Sequence, residues 1–280
     1  MGIYRRRRDQ LAEKLGNTIT IVPAAIHQLR NNDAEYEYRQ NSDFYYLTGF
    51  NEPEAVLVIA PGQEDRDTVF VRRRDRDAEI WTGKRLGVEH AASGLEVDAA
   101  FGIDELDAKL GSMLVGYDRL AYAFGSDEAF DRRVHAALAS ARFAVRRGGK
   151  APREFIEPGV LVHEMRLRKT PEEIAIMRKA GEITRKGHIA GMRATHPGMW
   201  EYELEAVIEF AYRVGGSESN AYTSIVAGGA NATILHYNTN REQLRDGTLV
   251  LVDSAAELEL YASDVTRTWP VNGRLQPSSA

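Results

Sequence analysis

In the stretch LVLVDSAAELELYASDVTRTWP, residues 249–270, two aspartates interrupt segments that otherwise resemble β-strands. Its first part, LVLVD, predicts a strand, and the unbroken apolar run favours burial on both faces. LELYASD (258–264) predicts a second strand, and the residues between the two make a hairpin. Each predicted strand ends in an aspartate, Asp253 and Asp264, although aspartate is depleted in strands.

The spacing of the two aspartates indicates that their carboxylates face each other. They are eleven residues apart, so a hairpin centred between Leu258 and Glu259 places them directly opposite, with Cβ atoms roughly 4.5–5.5 Å apart. Two carboxylates this close repel unless one is protonated or a cation lies between them. They suit two divalent ions about 3.5–4 Å apart. A turn or surface role is the alternative, and the spacing alone favours it over a metal site.

The composition is typical of a globular protein and excludes several kinds of site. The 280 residues are 43% hydrophobic and 28% charged, which is enough chain for one large or two medium domains. A net charge of −5 gives no general attraction to nucleic acid or to an anionic membrane. Cysteine is absent, so any metal must have oxygen or imidazole ligands. No apolar run approaches the roughly 20 residues of a membrane span.

The basic start of the chain, MGIYRRRRDQLAEKLG, predicts the solvated face of a first helix, with Leu11 and Leu15 on its apolar side. It lacks the apolar segment of a secretory signal, and acidic residues follow the arginines too soon for a transit peptide. We therefore expect a cytoplasmic protein that has neither a membrane nor a nucleic acid as partner.

The sequence predicts two domains with a boundary near residue 165. Residues 17–150 alternate strand-like segments with helical ones, which is typical of an α/β domain. After the boundary, Thr170 and Glu173 form a capping box that starts a helix, and this helix runs to about Ala194. A second helix and several strands follow. The predicted domains are residues 1–165 and 166–280.

Two further stretches contain candidate functional residues. In SIVAGGANATILHYNTN (224–240), His236 has apolar neighbours, which is more typical of a hydrogen-bonded core histidine than of a catalytic one. An adjacent strand could still bring it to the cleft of the aspartates, and the glycines lack the patterns of a phosphate-binding loop. In EIWTGKRLGVEHA (79–91), Trp81 suggests an exposed loop, and packing within its own domain is favoured over contact with substrate. Serine, cysteine and zincin hydrolase motifs are absent.

Taken together, these stretches resemble the family of Xaa-Pro aminopeptidases (aminopeptidase P) and prolidases, which are pita-bread metallopeptidases. The stretches that carry the resemblance are residues 41–61, 80–87, 164–184, 234–240 and 249–274. The resemblance implies an α/β fold. It places a creatinase-like domain in residues 1–165 and the first half of a pita-bread α+β catalytic domain in residues 166–280.

The resemblance also implies an activity and roles for the candidate residues. A hydroxide that bridges two metal ions, manganese or else cobalt or zinc, would attack the carbonyl before proline at a peptide amino terminus. Asp253 would chelate one ion and Asp264 would bridge both, while His236 would contact the substrate and stabilise the tetrahedral intermediate. Trp81 would reach toward the active site of a neighbouring subunit, which implies a homo-oligomer.

The sequence departs from the family pattern near its end. The family has five ligands, and the other three, one histidine and two glutamates, come later in the catalytic domain, whereas all seven histidines of this chain precede Asp253. Two carboxylates are too few ligands for a tight two-metal site. We therefore expect a fragment or one piece of a split enzyme, inactive alone, that needs the remaining carboxy-terminal part of the catalytic domain. Its next helix would begin near Gln276.

Several functions remain open at this point. The first is a metallopeptidase that acts on peptides with proline at the second position, as an aminopeptidase or as a dipeptidase. The second is a non-catalytic relative that binds a peptide or a protein. The third is an organophosphate-hydrolysing member of the same fold, which would share the metal ligands and differ in the shape of its pocket.

Overall fold

A computed structural model describes residues 2–275, and the chain divides into two compact units, Met1–Arg168 and Lys169–Ala280. The helix predicted near Gln276 lies outside the described residues. Among residues 2–275, no helix has both the length and the apolar composition needed to cross a bilayer.

The first unit is a mixed β-sheet combined with helices. Its helices are α1 (Ile3–Leu15), α2 (Ser42–Thr48), α3 (Arg76–Thr82), α4 (Val88–Gly94), α5 (Leu106–Met113), α6 (Glu128–Ala144) and α7 (Gly159–Leu167). Its strands are β1 (Thr18–Pro23), β2 (Leu29–Asn31), β3 (Ala34–Glu35), β4 (Val56–Ile59), β5 (Asp67–Val71), β6 (Ala99–Gly102), β7 (Arg119–Ala121) and β8 (Glu154–Ile156). The six-stranded sheet has the order β6-β5-β4-β1-β7-β8, while β2 and β3 pair separately.

Alternation along the strands gives this sheet a hydrophobic core on each face. Val56 and Val58 of β4 pack in one core with α5 and α6, whereas Leu57 and Ile59 pack in the other with α1, α2 and α4. Successive strand residues point to opposite faces, so an apolar strand can serve both layers at once. The alternation of strands and helices predicted for residues 17–150 is confirmed.

The prediction of a solvated amino-terminal helix face is wrong for Arg7 and Arg8, which are both buried, as are Leu11 and Leu15. Both arginines lie about one turn before Leu11, so the helical period places them on the same side. Arg8 Nε donates to Asp67 Oδ2 at 2.8 Å, and its other nitrogens donate to three backbone carbonyls. A buried cation is tolerated when its N–H groups are satisfied in this way.

The second unit packs two helices against two small sheets. Its helices are α8 (Pro171–Ala194) and α9 (Glu201–Val214). Its strands are β9 (Ser219–Asn220), β10 (Ile225–Gly228), β11 (Leu249–Asp253), β12 (Ala256–Leu258), β13 (Tyr261–Ala262) and β14 (Thr266–Pro270). The sheets have the orders β10-β11-β14 and β13-β12-β9. The predicted start of α8 at a Thr170–Glu173 capping box and its end at Ala194 are confirmed.

The hairpin predicted from Asp253 and Asp264 is wrong in its register. β11 pairs with β10 on one side and with β14 on the other, rather than with the predicted second strand, and Asp253 is opposite Thr266 in β14. The intervening residues form a separate hairpin of β12 and β13 that turns at Glu259 and Leu260, both with positive φ. Such turns usually contain asparagine, aspartate or glycine, so this one leaves no signal in the sequence.

The prediction that β11 is buried on both faces is also wrong. Val250 and Val252 are fully buried in the core that α8 and α9 complete, but Leu249, Leu251 and Asp253 are only partly buried. Because side chains alternate along a strand, Asp253 points away from the two helices. Asp253 therefore belongs to the more open face of the sheet.

Glycines in α8 allow α9 to approach closely, which yields a prediction. A Cβ atom on Gly187 would overlap the ring of Tyr212, whereas one on Gly181 would meet nothing within 4 Å. We expect Gly187→Ala to lower the free energy of unfolding by roughly 1–3 kcal/mol, because the helices must move apart. The matched Gly181→Ala should raise it by roughly 0.5–1 kcal/mol. Urea denaturation measures both, and equal effects would contradict the close approach.

The buried arginine yields a second prediction for the first unit. We expect Arg8→Met to lower the free energy of unfolding by about 3 kcal/mol, because Asp67 loses its fully buried partner and keeps the partly buried cations Arg5 and Arg66. The control is Arg6→Met on the exposed side of the same helix, with a change within about 0.5 kcal/mol. Thermal denaturation followed by circular dichroism would refute the assignment if the two variants lost equal stability.

Candidate active site

A pocket on the open face of the second unit contains three of the four candidate residues from the sequence. It has a volume of about 390 Å³. Its lining residues are Tyr222, Thr223, Ile225, His236, Asn238, Asp253 and Asp264. The structure therefore brings Asp253, Asp264 and His236 together, while Trp81 belongs to the other unit.

The two aspartates converge on Tyr222, a residue that the sequence did not single out. The Tyr222 hydroxyl lies 2.5 Å from Asp253 Oδ1 and 3.1 Å from Asp264 Oδ1. Burial raises the pKa of Tyr222, and its hydrogen bonds to the two aspartates and their charges raise this pKa further. The hydroxyl therefore stays protonated and donates a hydrogen bond to one carboxylate at a time. Tyr222 carries no recognisable motif, because its partners lie 31 and 42 residues away along the chain.

The register of the sheet explains why the carboxylates meet although they are not opposite each other. Asp253 pairs with Thr266, the first residue of β14, and Asp264 lies two residues before it in the segment that joins β13 to β14. The Ser254 N–H donates to the Val265 carbonyl at 3.3 Å, which holds this segment beside the end of β11. Both carboxylates thus line the pocket, for a different reason from the predicted facing pair.

A serine next to each aspartate connects the site to helix α8. His188 Nε2 lies 2.9 Å from the carbonyl oxygen of Ser254, and the Thr184 hydroxyl lies 2.6 Å from the hydroxyl of Ser263. Burial lowers the pKa of His188, so its ring is neutral at pH 7 and donates Nε2–H to the carbonyl. The helix thereby holds the backbone beside both aspartates, on the side away from the pocket.

The donor atoms of the pocket suit a hard divalent ion, but they are few. Carboxylate oxygens suit manganese and also bind zinc or cobalt. Within residues 2–275, no group of three or more histidine, cysteine, aspartate or glutamate side chains is arranged to hold a metal ion. Asp253 and Asp264 thus fit part of a metal centre, and a complete centre needs further ligands.

His236 lies on a loop rather than on a strand. It follows a short 3-10 helix, Gly229–Thr233, and its side chain is exposed, next to Leu235, which is 90% exposed. The interpretation of His236 as a core histidine is therefore wrong, because its apolar neighbours are themselves exposed. An exposed imidazole at the pocket can contact a bound molecule.

Trp81 is the penultimate residue of helix α3 and is 88% exposed. The predictions that it lies on a loop and packs within its own domain are therefore both wrong. The exposed loop predicted at the following glycine and cations begins only after Thr82, where α3 ends. An exposed indole offers a large amphipathic surface for contact with another molecule.

Two family models match the chain. The model of the aminopeptidase P N-terminal domain matches residues 4–122, and the model of metallopeptidase family M24 matches residues 175–280. The first match lies within the first unit and the second within the second unit.

Curated relatives are similar along nearly the whole chain. The Xaa-Pro aminopeptidase of Escherichia coli is 44% identical over 274 residues, which are 97% of this chain and 62% of the relative. The Xaa-Pro aminopeptidase of Haemophilus influenzae is 39% identical, over 96% of this chain and 60% of the relative. Human Xaa-Pro aminopeptidase 3 is 35% identical, over 89% of this chain and 50% of the relative. The chain spans about 60% of the length of the two bacterial relatives.

Solved structures give the same result for the fold. The aminopeptidase PepP of Pseudomonas aeruginosa matches with a TM-score of 0.95 and 44% identity, over 99% of this chain and 63% of that one. Zn-substituted E. coli aminopeptidase P in complex with product matches with a TM-score of 0.95 and 43% identity, over 99% of this chain and 64% of that one. The α/β fold with an aminopeptidase P amino-terminal domain and part of a pita-bread domain is confirmed. This chain belongs to metallopeptidase family M24, the pita-bread metallopeptidases that include the Xaa-Pro aminopeptidases.

Proposed function

We propose that this chain provides two of five metal ligands and a substrate-contacting histidine for hydrolysis of the Xaa-Pro bond at peptide amino termini. The main support is the convergence of Asp253 and Asp264 on Tyr222 in a pocket that also contains His236. The similarity to enzymes named Xaa-Pro aminopeptidase supports the Xaa-Pro bond as the bond that is cut. The aminopeptidase mode is therefore favoured over the dipeptidase mode.

Four residues of the pocket have distinct tasks in this proposal. Asp253 and Asp264 would hold two divalent ions, manganese in the first place and cobalt or zinc as alternatives. The bound ions would lower the pKa of a water molecule and polarise the carbonyl before proline. Tyr222 orients both carboxylates while it uses at most one of their several lone-pair sites. His236 would contact the substrate from the exposed loop and stabilise charge on its carbonyl oxygen.

The proposal extends to the other parts of the chain. The creatinase-like domain would comprise residues 1–165, and residues 166–280 would be the first part of the catalytic domain. Trp81 would act at the active site of a second subunit in a homo-oligomer, and its exposure supports this role. The remaining carboxy-terminal part of the catalytic domain would supply the missing ligands, and the location would be cytoplasmic.

One observation favours a second candidate function. Among the described residues, no group of three or more potential ligands is arranged to hold a metal ion, which is also the expectation for a relative that binds peptides without cutting them. Such a protein would keep the pocket and the exposed residues His236 and Trp81 but would have no complete metal centre.

The first test concerns the 280-residue chain alone. We expect no turnover of an Xaa-Pro peptide with added Mn²⁺, and weak Mn²⁺ binding in an electron paramagnetic resonance titration, because two carboxylates make an incomplete centre. Asp253→Asn should abolish this binding, whereas Asp246→Asn, an exposed aspartate outside the pocket, should leave it unchanged. Robust turnover by the chain alone would contradict the proposal that its metal centre is incomplete.

The second test completes the chain. A chimeric protein would join residues 1–280 to the remaining carboxy-terminal part of E. coli Xaa-Pro aminopeptidase. We expect it to release the first residue of an Xaa-Pro peptide with Mn²⁺, and Asp253→Asn to lower kcat/KM at least about a hundredfold, since a metal ligand is lost. His236→Ala should lower kcat by about 10²–10³ if it stabilises charge on the substrate. A folded, metal-loaded but inactive chimera would favour the peptide-binding candidate.

A further inference from the structure

A buried glutamate at the start of α9 binds both ends of the loop that carries His236. Glu201 is fully buried, and its two carboxylate oxygens accept four hydrogen bonds. The donors to Oε1 are Gly228 N at 2.8 Å and Asn231 Nδ2 at 3.1 Å, and the donors to Oε2 are the Tyr237 hydroxyl at 2.8 Å and Glu242 N at 2.9 Å. These donors bracket His236 on both sides along the chain.

The loop in question, residues 228–242 and called the His236 loop below, has little regular structure of its own. It contains one 3-10 segment, and its tip exposes Ile234 and Leu235. A loop with few buried contacts ordinarily opens at low free energy. Its order therefore depends on the residues that hold its ends.

Asn240 provides a second attachment, near the end of the His236 loop. It is buried and has a positive φ of 50°. Its Oδ1 accepts from Val226 N at 3.0 Å, and its Nδ2 donates to the Ser224 carbonyl at 2.8 Å. The side-chain amide thus pairs with the edge of β10 as a strand residue would.

The chemistry at position 201 calls for a carboxylate rather than for any side chain of its size. Each oxygen of Glu201 accepts from one backbone N–H, that of Gly228 or that of Glu242. A tyrosine hydroxyl or an asparagine amide can present an acceptor instead of a donor, but a backbone N–H cannot. A glutamine would turn one acceptor into an NH₂ group and leave one of these N–H groups facing a donor.

The position of Glu201 in α9 also brings its backbone to the loop. It is the first residue of a 14-residue helix. Its own backbone N–H donates to the Glu242 carbonyl at 3.0 Å, so both the backbone and the side chain of Glu201 form hydrogen bonds with Glu242 at the end of the loop.

We propose that Glu201 is a positioning residue that fixes His236 in the pocket by holding both ends of the His236 loop. The role of His236 itself rests on the proposed function. A residue on an exposed loop is preorganised only where the ends of the loop are held, and preorganisation reduces the ordering cost when substrate binds.

The test compares Glu201→Gln with Glu203→Gln in the 280-residue chain without metal or substrate. Glu203 is exposed in the same first turn of α9 and accepts one hydrogen bond, from Trp200 N at 2.8 Å. Glutamine keeps an acceptor for that single donor, so Glu203→Gln is a matched control. Nuclear magnetic resonance would follow the loop amides and the His236 ring signal, which His236→Gln assigns.

In Glu201→Gln, we expect hydrogen exchange of the Gly228 or the Glu242 amide to rise about ten- to a hundredfold, because one buried donor loses its acceptor. The His236 ring signal should shift and narrow as the loop becomes mobile. The amides of Val250 and Val252 in β11 should be unchanged and serve as the internal reference. Glu203→Gln should change none of these signals.

Two results would overturn the proposal. One is a folded Glu201→Gln protein with unchanged loop amides and an unchanged His236 signal. The other is an equal loss of protection in the loop and in β11, which would make Glu201 a general structural residue.

Tyr237→Phe keeps the proposal testable if Glu201→Gln does not fold. It removes one of the four hydrogen bonds, next to His236, and should raise loop mobility severalfold while β11 stays unchanged. An unchanged loop in this variant would also contradict the proposal. None of these experiments needs a metal ion or enzyme turnover. A negative result for Glu201 would therefore not contradict the proposed peptidase function, and an inactive chimera would not contradict the role of Glu201.

Discussion

The alternation of side chains along β11 is the constraint on which the second unit depends. Val250 and Val252 are fully buried against α8 and α9, so the residues between and beside them must point to the opposite face. Asp253 is the last of these residues, and the pocket forms around it. The same packing that stabilises the unit thus turns a carboxylate toward the open side, where a cation or a substrate can reach it.

Each unit contains a buried charged side chain whose hydrogen bonds hold separate segments together, a cation in the first unit and an anion in the second. In the first unit, the guanidinium of Arg8 donates to Asp67 and to backbone carbonyls. In the second, the carboxylate of Glu201 accepts from backbone N–H groups. A buried ion is stable only when its hydrogen bonds are satisfied, so each ion fixes the segments that satisfy it. In the second unit those segments carry His236, which connects stability to the proposed function.

Local features of the sequence predicted some of the elements of this protein. The capping box of Thr170 and Glu173 and the end of α8 at Ala194 depend on residues within one or two turns of each other, so they are predictable without the fold. The alternation of strand-like and helical segments indicated the α/β class, the strand pattern singled out Asp253 and Asp264, and motif resemblance identified the family. The metal and substrate roles of these residues stay predictions, because no described cluster of ligands is complete.

The tertiary structure alone decided which residues meet. Tyr222 reaches Asp253 and Asp264 across 31 and 42 residues of chain, and Glu201 reaches the far end of its loop across 41. The register that brings the aspartates together depends on a turn at Glu259 and its neighbour, which has no sequence signature. Hydrophobic periodicity specifies which face a side chain occupies within one element, but the pairing of distant elements depends on packing across the whole unit.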